Sequence, residues 1–272
     1  MAIQIEDIIY QSPNGMPLLA RLYRPGGTGP FPAVLEVHGG AWTSGDRLNN
    51  VSIAESLASD GIVVLSIDFR MPPAAAYPAA SQDVNLGIRW LKAHATEFGS
   101  RPDLVGGLGT SSGGHLLLLS ALRPTDARYA ALPLPGSDVD ASLAFAIACW
   151  PVADPLKRYR TVQENGNARL VAAHDAFWPS VADMTDANPT LILARGETVA
   201  MPPALIIQGT NDNNLTPDMA GSFAMAYAAA GGKVTFESFP GQPHAFIPGA
   251  PTAPGSVRAL ELIKGFVHRN TV

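Results

Sequence analysis

The sequence predicts an α/β domain in which a mostly parallel central sheet is flanked by helices. Short apolar segments of strand length alternate with longer segments of helical spacing along most of the 272 residues, which is the pattern of helices packed on a parallel sheet. The central apolar segments lack a polar face, as strands covered on both sides do. Hydrophobic residues make up 47% of the chain and charged residues 15%, enough apolar surface for one large core.

Two strands and a turn begin the predicted fold. Residues 3–10 and 18–24 have the length and apolar content of strands, and the Ser-Pro-Asn-Gly segment at residues 12–15 is typical of a turn. A third apolar segment, residues 33–37, predicts a short strand that ends at the His-Gly-Gly sequence of residues 38–40.

Strands and helices then alternate. Residues 52–59 predict a helix, and residues 62–68 predict a strand apolar enough to be covered on both faces. Apolar side chains recur at helical spacing over residues 82–94, which predicts a second helix. A strand over residues 104–108 and a helix over residues 113–122 continue the alternation.

The alternation is interrupted once and then resumes. The apolar segment at residues 142–150 predicts a buried strand, but residues 151–201 show no strand periodicity. We interpret residues 151–201 either as a short lid-like insertion or as an irregular part of the helical layer, within a single domain of residues 1–272. The remaining predicted elements are a strand over residues 204–208, a helix over 220–230, a strand over 233–239 and a helix over 257–269.

Charge and composition exclude several classes of protein. The net charge of −5 provides no basic surface for nucleic acid or an anionic membrane. The one cysteine, Cys149, excludes an intramolecular disulfide, and its apolar neighbours favour a structural thiol. The N-terminal segment has no signal-peptide pattern, and no apolar segment is long enough to span a membrane. We therefore expect a cytoplasmic protein without membrane or nucleic-acid partners, with a homodimer left open.

Residues 109–113, Gly-Thr-Ser-Ser-Gly, fit the pattern G-x-S-x-G. In that motif a sharp turn between a strand and a helix lifts the central serine above the sheet edge, and small flanking residues relieve crowding. A predicted strand precedes these residues and a predicted helix follows them, which is the context that so short a motif requires. Ser111 is therefore the candidate nucleophile, and Ser112 contributes its backbone N–H to an oxyanion hole.

A serine hydroxyl needs a base within hydrogen-bond reach. His244 follows the predicted strand over residues 233–239, and a loop at the end of a sheet strand suits such a base. The other five histidines fit other roles: His94 and His268 as surface residues of helices, His115 packed behind the nucleophile, His174 in the insertion, and His38 before the paired glycines.

The base in turn needs an acid that orients it. Asp212 follows the predicted strand over residues 204–208. Asp218 is the rival, but it lies where a helix should begin, and that position already favours an acidic residue. The sequence therefore predicts a triad of Ser111, Asp212 and His244.

Acyl transfer passes through a tetrahedral oxyanion, which backbone N–H donors stabilise by about 3 kcal/mol each. The His-Gly-Gly-Ala-Trp segment at residues 38–42 follows a predicted strand, and glycine brings the backbone close to a substrate without an intervening Cβ. Gly39 and Gly40, together with the N–H of Ser112, are the candidate oxyanion hole. The rival hypothesis, which leaves the glycines without a purpose, takes His38 as the base and one of two acids, Asp68 or Asp83.

Four aromatic residues are candidates for the lining of a substrate pocket: Trp42, Trp150, Phe177 and Trp178. We expect at least two of these four to belong to the core instead. The histidines and carboxylates show no compact ligand spacing, so no metal and no organic cofactor is expected.

Together these motifs resemble the α/β-hydrolase esterases of the hormone-sensitive-lipase-like and related carboxylesterase groups. The likeness extends from about Phe31 to His244 and includes the segments Asp68-Phe69-Arg70 and Arg89-Trp90-Leu91. The order of nucleophile, acid and base along the chain is also that of this family. The resemblance implies the α/β-hydrolase fold and hydrolysis of a small to medium ester through an acyl-enzyme at Ser111.

The sequence departs from these esterases in two motifs. Ala41 replaces the usual third glycine of the oxyanion loop, and the elbow reads Gly-Thr-Ser-Ser-Gly rather than Gly-Asp-Ser-Ala-Gly. The His-Gly-Gly-x-Trp loop is also similar to that of arylformamidases and of small acetyl and feruloyl esterases. An amidase or arylformamidase is therefore the alternative function, and a non-catalytic binding protein is a third.

Overall fold

A computed structural model describes residues 2–271, whose strands form one eight-stranded sheet. The strands are β1 (Ile3–Gln11), β2 (Leu18–Pro25), β3 (Ala33–Val37), β4 (Val63–Ile67), β5 (Val105–Thr110), β6 (Ala146–Cys149), β7 (Ala204–Gly209) and β8 (Val234–Phe239). Their order in the sheet is β1-β2-β4-β3-β5-β6-β7-β8. β1 pairs antiparallel with β2, and β2 with β4, whereas all pairs from β4 to β8 are parallel. The predicted mostly parallel sheet is therefore confirmed.

Helices connect most of these strands. The segment between β6 and β7, predicted as an insertion, forms four short helices and no strand. No helix in the described range is long and apolar enough to cross a membrane. The helices are α1 (Val51–Ser59), α2 (Ala79–His94), α3 (Ser112–Leu122), α4 (Pro155–Glu164), α5 (Ala168–Phe177), α6 (Val181–Asp186), α7 (Pro189–Ala194), α8 (Met219–Ala229), α9 (Phe246–Gly249) and α10 (Pro254–Arg269).

Burial on both faces explains why the central strands show no polar alternation. Every residue of β3 to β7 is buried, so both faces need apolar or small side chains. In β5, a Cβ on Gly107 would lie 2.4 Å from Cδ1 of Leu117 in α3. The glycine therefore lets α3 pack directly on β5, and this contact positions the turn that carries the candidate nucleophile.

Some element bounds differ from the predicted ones for identifiable reasons. The predicted strand over residues 142–150 is shortened to β6: Ser142 instead donates its N–H and its hydroxyl to the Asp140 carboxylate at 3.0 and 2.5 Å, and Trp150 has φ 42°. α10 begins at Pro254 rather than at residue 257, since a first helical turn tolerates proline. α9 was not predicted, and its four residues are too few to show periodicity.

A glutamate lies in the middle of the sheet. Glu36 of β3 has no exposed surface, and its Oε1 accepts a hydrogen bond of 2.5 Å from Nδ2 of Asn50. The same Asn50 amide donates to Oγ1 of Thr110 at 3.0 Å. Burial raises the pKa of Glu36 to about 7, although the Asn50 bond opposes that rise. The side chain is therefore half protonated near neutral pH.

Replacement of this glutamate should change how stability depends on pH. Because the pKa of Glu36 is about 7 in the folded chain and 4.5 ordinarily, the folded chain holds a proton that the unfolded chain releases. Stability contributed by this proton falls as pH rises from about 4.5 to 7, by up to ~3 kcal/mol. We expect Glu36→Gln to remove that fall, as measured by urea unfolding at pH 5 and pH 8.

The exposed Glu55→Gln is the matched control for this experiment. It should keep the pH dependence of the wild type. Parallel stability curves for Glu36→Gln and the wild type across this pH range would contradict the raised pKa.

Candidate active site

The candidate nucleophile lies in a strained turn between β5 and α3. Ser111 has φ 52° and ψ −119°, a left-handed conformation that is costly for a residue with a Cβ. Its N–H donates to the carbonyl of Cys149 in the neighbouring strand at 3.0 Å, which holds the turn in place. Such strain is typical of functional turns, and it points the hydroxyl away from the sheet.

The three predicted triad residues come together in the structure. Nε2 of His244 lies 3.0 Å from Oγ of Ser111, and Nδ1 of His244 lies 2.7 Å from Oδ2 of Asp212. Backbone bonds join the loops of the acid and the base, including one from Asn211 N–H to the Gln242 carbonyl at 3.0 Å. The geometry lets His244 accept the serine proton while Asp212 holds its ring.

Asp212 is held as a carboxylate. Burial alone would raise its pKa, but the hydrogen bond and charge of His244 and the donors of Asn214 and Gln208 outweigh burial, so the pKa lies below its usual value. Oδ1 accepts backbone N–H groups of Asn214 and Leu215 at 2.8 and 3.2 Å. An ionised Asp212 requires the proton of His244 on Nδ1, which leaves the Nε2 lone pair for Ser111.

The rival acid Asp218 is not at the site. It is exposed, and its carboxylate forms a salt bridge with Lys157. As predicted from the helix start, Asp218 directly precedes α8. It has no contact with the base.

The rival base is also occupied elsewhere. Nδ1 of His38 lies 2.6 Å from the carbonyl oxygen of the next residue, and burial lowers the pKa of His38. Its proposed acids are engaged by arginines: Asp68 by Arg47 at 3.1 Å and Asp83 by Arg70 at 2.8 Å. The His38 hypothesis therefore has no acid to orient the ring.

Two further histidines are buried and neutral. His115 accepts the indole N–H of Trp42 on Nδ1 at 3.2 Å and donates from Nε2 to the carbonyl of Ala187 at 2.8 Å. Burial lowers the pKa of His115, and that of His174, to about 4. His115 thus packs behind the nucleophile, as its sequence position predicts. His268 is exposed, whereas His94 is half-buried against Trp90 rather than on the surface.

The loop that carries the candidate oxyanion donors is tied to α3. The hydroxyl of Ser112 accepts the N–H of Trp42 at 3.1 Å, a role for this side chain that the sequence did not indicate. Gly40 has φ 119°, and a Cβ there would lie 1.9 Å from the carbonyl oxygen of Ser44, so only glycine fits. Gly39 and Gly40 line the cleft beside Ser111, and their role as oxyanion donors stays a prediction.

The four candidate pocket aromatics separate into two groups. Trp150 lines the cleft, and its ring lies 6.3 Å from that of His244. Trp42 instead stacks on Phe177 at 5.1 Å and meets Trp178 edge-on at 5.7 Å, with all three at most 5% exposed. These three therefore belong to the core, in line with the expectation that at least two of the four do, and the loop after Gly40 turns the Trp42 indole inward to His115. Trp150 stays a candidate for the pocket.

The cleft beside Ser111 has a volume of about 360 Å³. Helices α4 and α5 of the predicted insertion contribute Arg158, Arg169 and Leu170 to its lining. The sequence carried no signal for these residues, since arginines on amphipathic helices are usually solvated. The described residues include no group of three or more His, Cys, Asp or Glu that could hold a metal ion.

Comparison with known proteins gives two curated relatives of note. Esterase LipC of Mycobacterium tuberculosis is 31% identical over 250 residues, which are 89% of this chain and 60% of LipC. Carboxylic ester hydrolase LipN of the same organism is 29% identical over 280 residues, covering 98% of this chain and 72% of LipN. The chain therefore spans less than two thirds of the length of LipC.

Among solved structures, the hyperthermophilic esterase of the archaeon Pyrobaculum calidifontis has a TM-score of 0.80 at 22% identity, and the match covers 99% of this chain and 87% of that one. This likeness confirms the predicted α/β-hydrolase fold. The BD-FAE family model matches residues 21–226, well over half of the sequence. The chain therefore belongs to the BD-FAE family of α/β-hydrolases.

Proposed function

We propose that this protein is a serine hydrolase that cleaves carboxylic esters through an acyl-enzyme intermediate. The observation that carries the proposal is the continuous hydrogen-bonded series from Asp212 through His244 to Ser111, at 2.7 and 3.0 Å. The names of LipC and LipN, an esterase and a carboxylic ester hydrolase, support the same chemistry. An amide or formamide substrate has no specific observation in its favour.

In the first half of the reaction, Ser111 attacks the ester carbonyl while His244 takes its proton. The N–H groups of Gly39, Gly40 and Ser112 are the candidate donors to the resulting oxyanion. Asp212 stabilises the imidazolium that forms. Collapse of the tetrahedral intermediate breaks the ester bond, and His244 gives its proton to the leaving alcohol.

In the second half, His244 activates a water molecule that attacks the acyl-Ser111 ester. The same donors hold the second oxyanion, and the serine leaves with the proton from His244. The cleft volume of about 360 Å³ suits a small to medium substrate. A lid function of residues 151–201 and a cytoplasmic location remain parts of the proposal, and a homodimer stays open.

Removal of the nucleophile should abolish ester hydrolysis. We expect Ser111→Ala to lower kcat/KM by about 10⁴-fold or more on p-nitrophenyl esters from acetate to decanoate, with the wild type most active on the short ones. Ser112→Ala retains the backbone N–H and should still react with a fluorophosphonate at Ser111. A folded wild type that hydrolyses none of these esters would disprove the proposed function.

Two aspartates allow a matched test of the acid. Asp212→Asn should lower kcat by about 10⁴-fold, because an amide favours the wrong tautomer of His244. Asp218→Asn also removes one carboxylate charge, but from an exposed ion pair with Lys157. Such a pair contributes at most about 1 kcal/mol to stability, so kcat should stay close to that of the wild type. Equal losses in the two variants would contradict the assignment of Asp212.

A further inference from the structure

Arg158 of α4 is buried in the cleft of the nucleophile, and none of the carboxylates in the described part of the chain forms a salt bridge with it. It is 1% exposed and lines the cleft that contains Ser111. A charge held away from water is costly unless it is paired. Within residues 2–271, its one hydrogen bond runs from Nη2 to Oδ1 of Asn214 at 2.6 Å, and its buried Nε and Nη1 donors have no acceptor.

The guanidinium remains a cation in this environment. Burial lowers the pKa of Arg158 to about 10, and the charge of Arg169 adds to this effect, so the group is protonated at neutral pH. The Trp42 ring lies 5.7 Å from its central carbon and contributes a cation–π contact. The Asp212 carboxylate is already bound by His244 and Gln208 at 2.7 and 2.8 Å.

The charged side chains that line the cleft are both arginines, and the ionised Asp212 lies behind His244 rather than in the lining. The lining includes Arg158 and the exposed Arg169, but no aspartate or glutamate. A concave site lined by cations attracts anions and concentrates them near the reacting groups. The unfilled donors of Arg158 provide a specific partner for such an anion at the nucleophile.

We propose that the cleft takes an ester that also carries a carboxylate, and that Arg158 binds this carboxylate with Arg169 adding to the positive potential. The proposal rests on the proposed ester hydrolysis. A guanidinium and a carboxylate form strong charge-assisted hydrogen bonds. A carboxylate carries one negative charge, which matches the one positive charge of the buried Arg158 guanidinium, whereas a phosphate dianion carries two negative charges.

A purely structural role for Arg158 makes a different prediction. Asn214 accepts from Arg158 and donates its backbone N–H to Oδ1 of Asp212 at 2.8 Å. If Arg158 acted only through this connection, its loss would slow neutral and anionic esters equally. Binding of a substrate carboxylate instead affects the anionic esters selectively.

The experiment compares matched esters in the wild type and in Arg158→Gln. Monoethyl glutarate against ethyl valerate tests a carboxylate on the acyl side, and 4-acetoxybenzoate against 4-acetoxybenzamide tests one on the alcohol side. For at least one pair, we expect the anionic-to-neutral ratio of kcat/KM to fall about tenfold or more in Arg158→Gln. Arg158→Lys should restore part of the ratio.

The control is Arg160→Gln, which removes an exposed charge from the same helix and should leave the ratio unchanged. If Arg158→Gln does not fold, Arg169→Gln should lower the ratio about twofold to threefold. If Arg158→Gln leaves the anionic-to-neutral ratio of kcat/KM unchanged for both ester pairs while the wild type still hydrolyses neutral esters, the role of Arg158 is overturned and the proposed ester hydrolysis stands. A stronger dependence on Arg158 for 4-acetoxyphenyl phosphate overturns the choice of carboxylate, and no hydrolysis of any ester overturns the proposed function as well.

Discussion

Where α3 begins, its backbone touches the end of β3. A Cβ on Gly113 would lie 2.2 Å from the carbonyl oxygens of both Val37 and His38, so no other residue fits there without moving the sheet or the helix. The same contact brings the Ser112 hydroxyl to the N–H of Trp42, a hydrogen bond worth about 1 kcal/mol. Because backbone packs on backbone here, the turn of Ser111 and the oxyanion loop form one rigid unit.

The buried ionisable groups around this unit differ in whether their charge is compensated by hydrogen bonds, lost by a shift of the pKa, or kept without compensation. Asp212 is ionised because His244, Gln208 and two backbone N–H groups compensate it. His115 loses its charge instead, since burial lowers its pKa to about 4. Arg158 is neither compensated nor neutralised: it stays charged, and its Nε and Nη1 atoms have no hydrogen-bond acceptor among the described residues. A buried donor without a partner calls for an explanation, and a bound anion supplies one for Arg158.

The triad could be predicted because each member carries a local signal. Ser111 lies in a short motif between a strand and a helix, and Asp212 and His244 each follow an apolar strand, so strand assignment alone brings them to one sheet edge. Arg158 carries no such signal, since its burial depends on how α4 packs on the cleft. Which of the four aromatic side chains belong to the core could not be predicted for the same reason, because the direction of a side chain such as Trp42 after a tight turn depends on tertiary contacts.

The catalytic base follows an edge strand of the sheet. β8 pairs with β7 alone, and most of its residues are partly or fully exposed, whereas β5, which leads to Ser111, is buried between two neighbours. Edge elements open locally at lower free energy than the core. Opening of β8 would withdraw His244 while Ser111 stays in place, so we expect activity to be lost before the whole sheet unfolds. Local opening of β8, which hydrogen exchange measures, then limits the temperature of the reaction before global unfolding does.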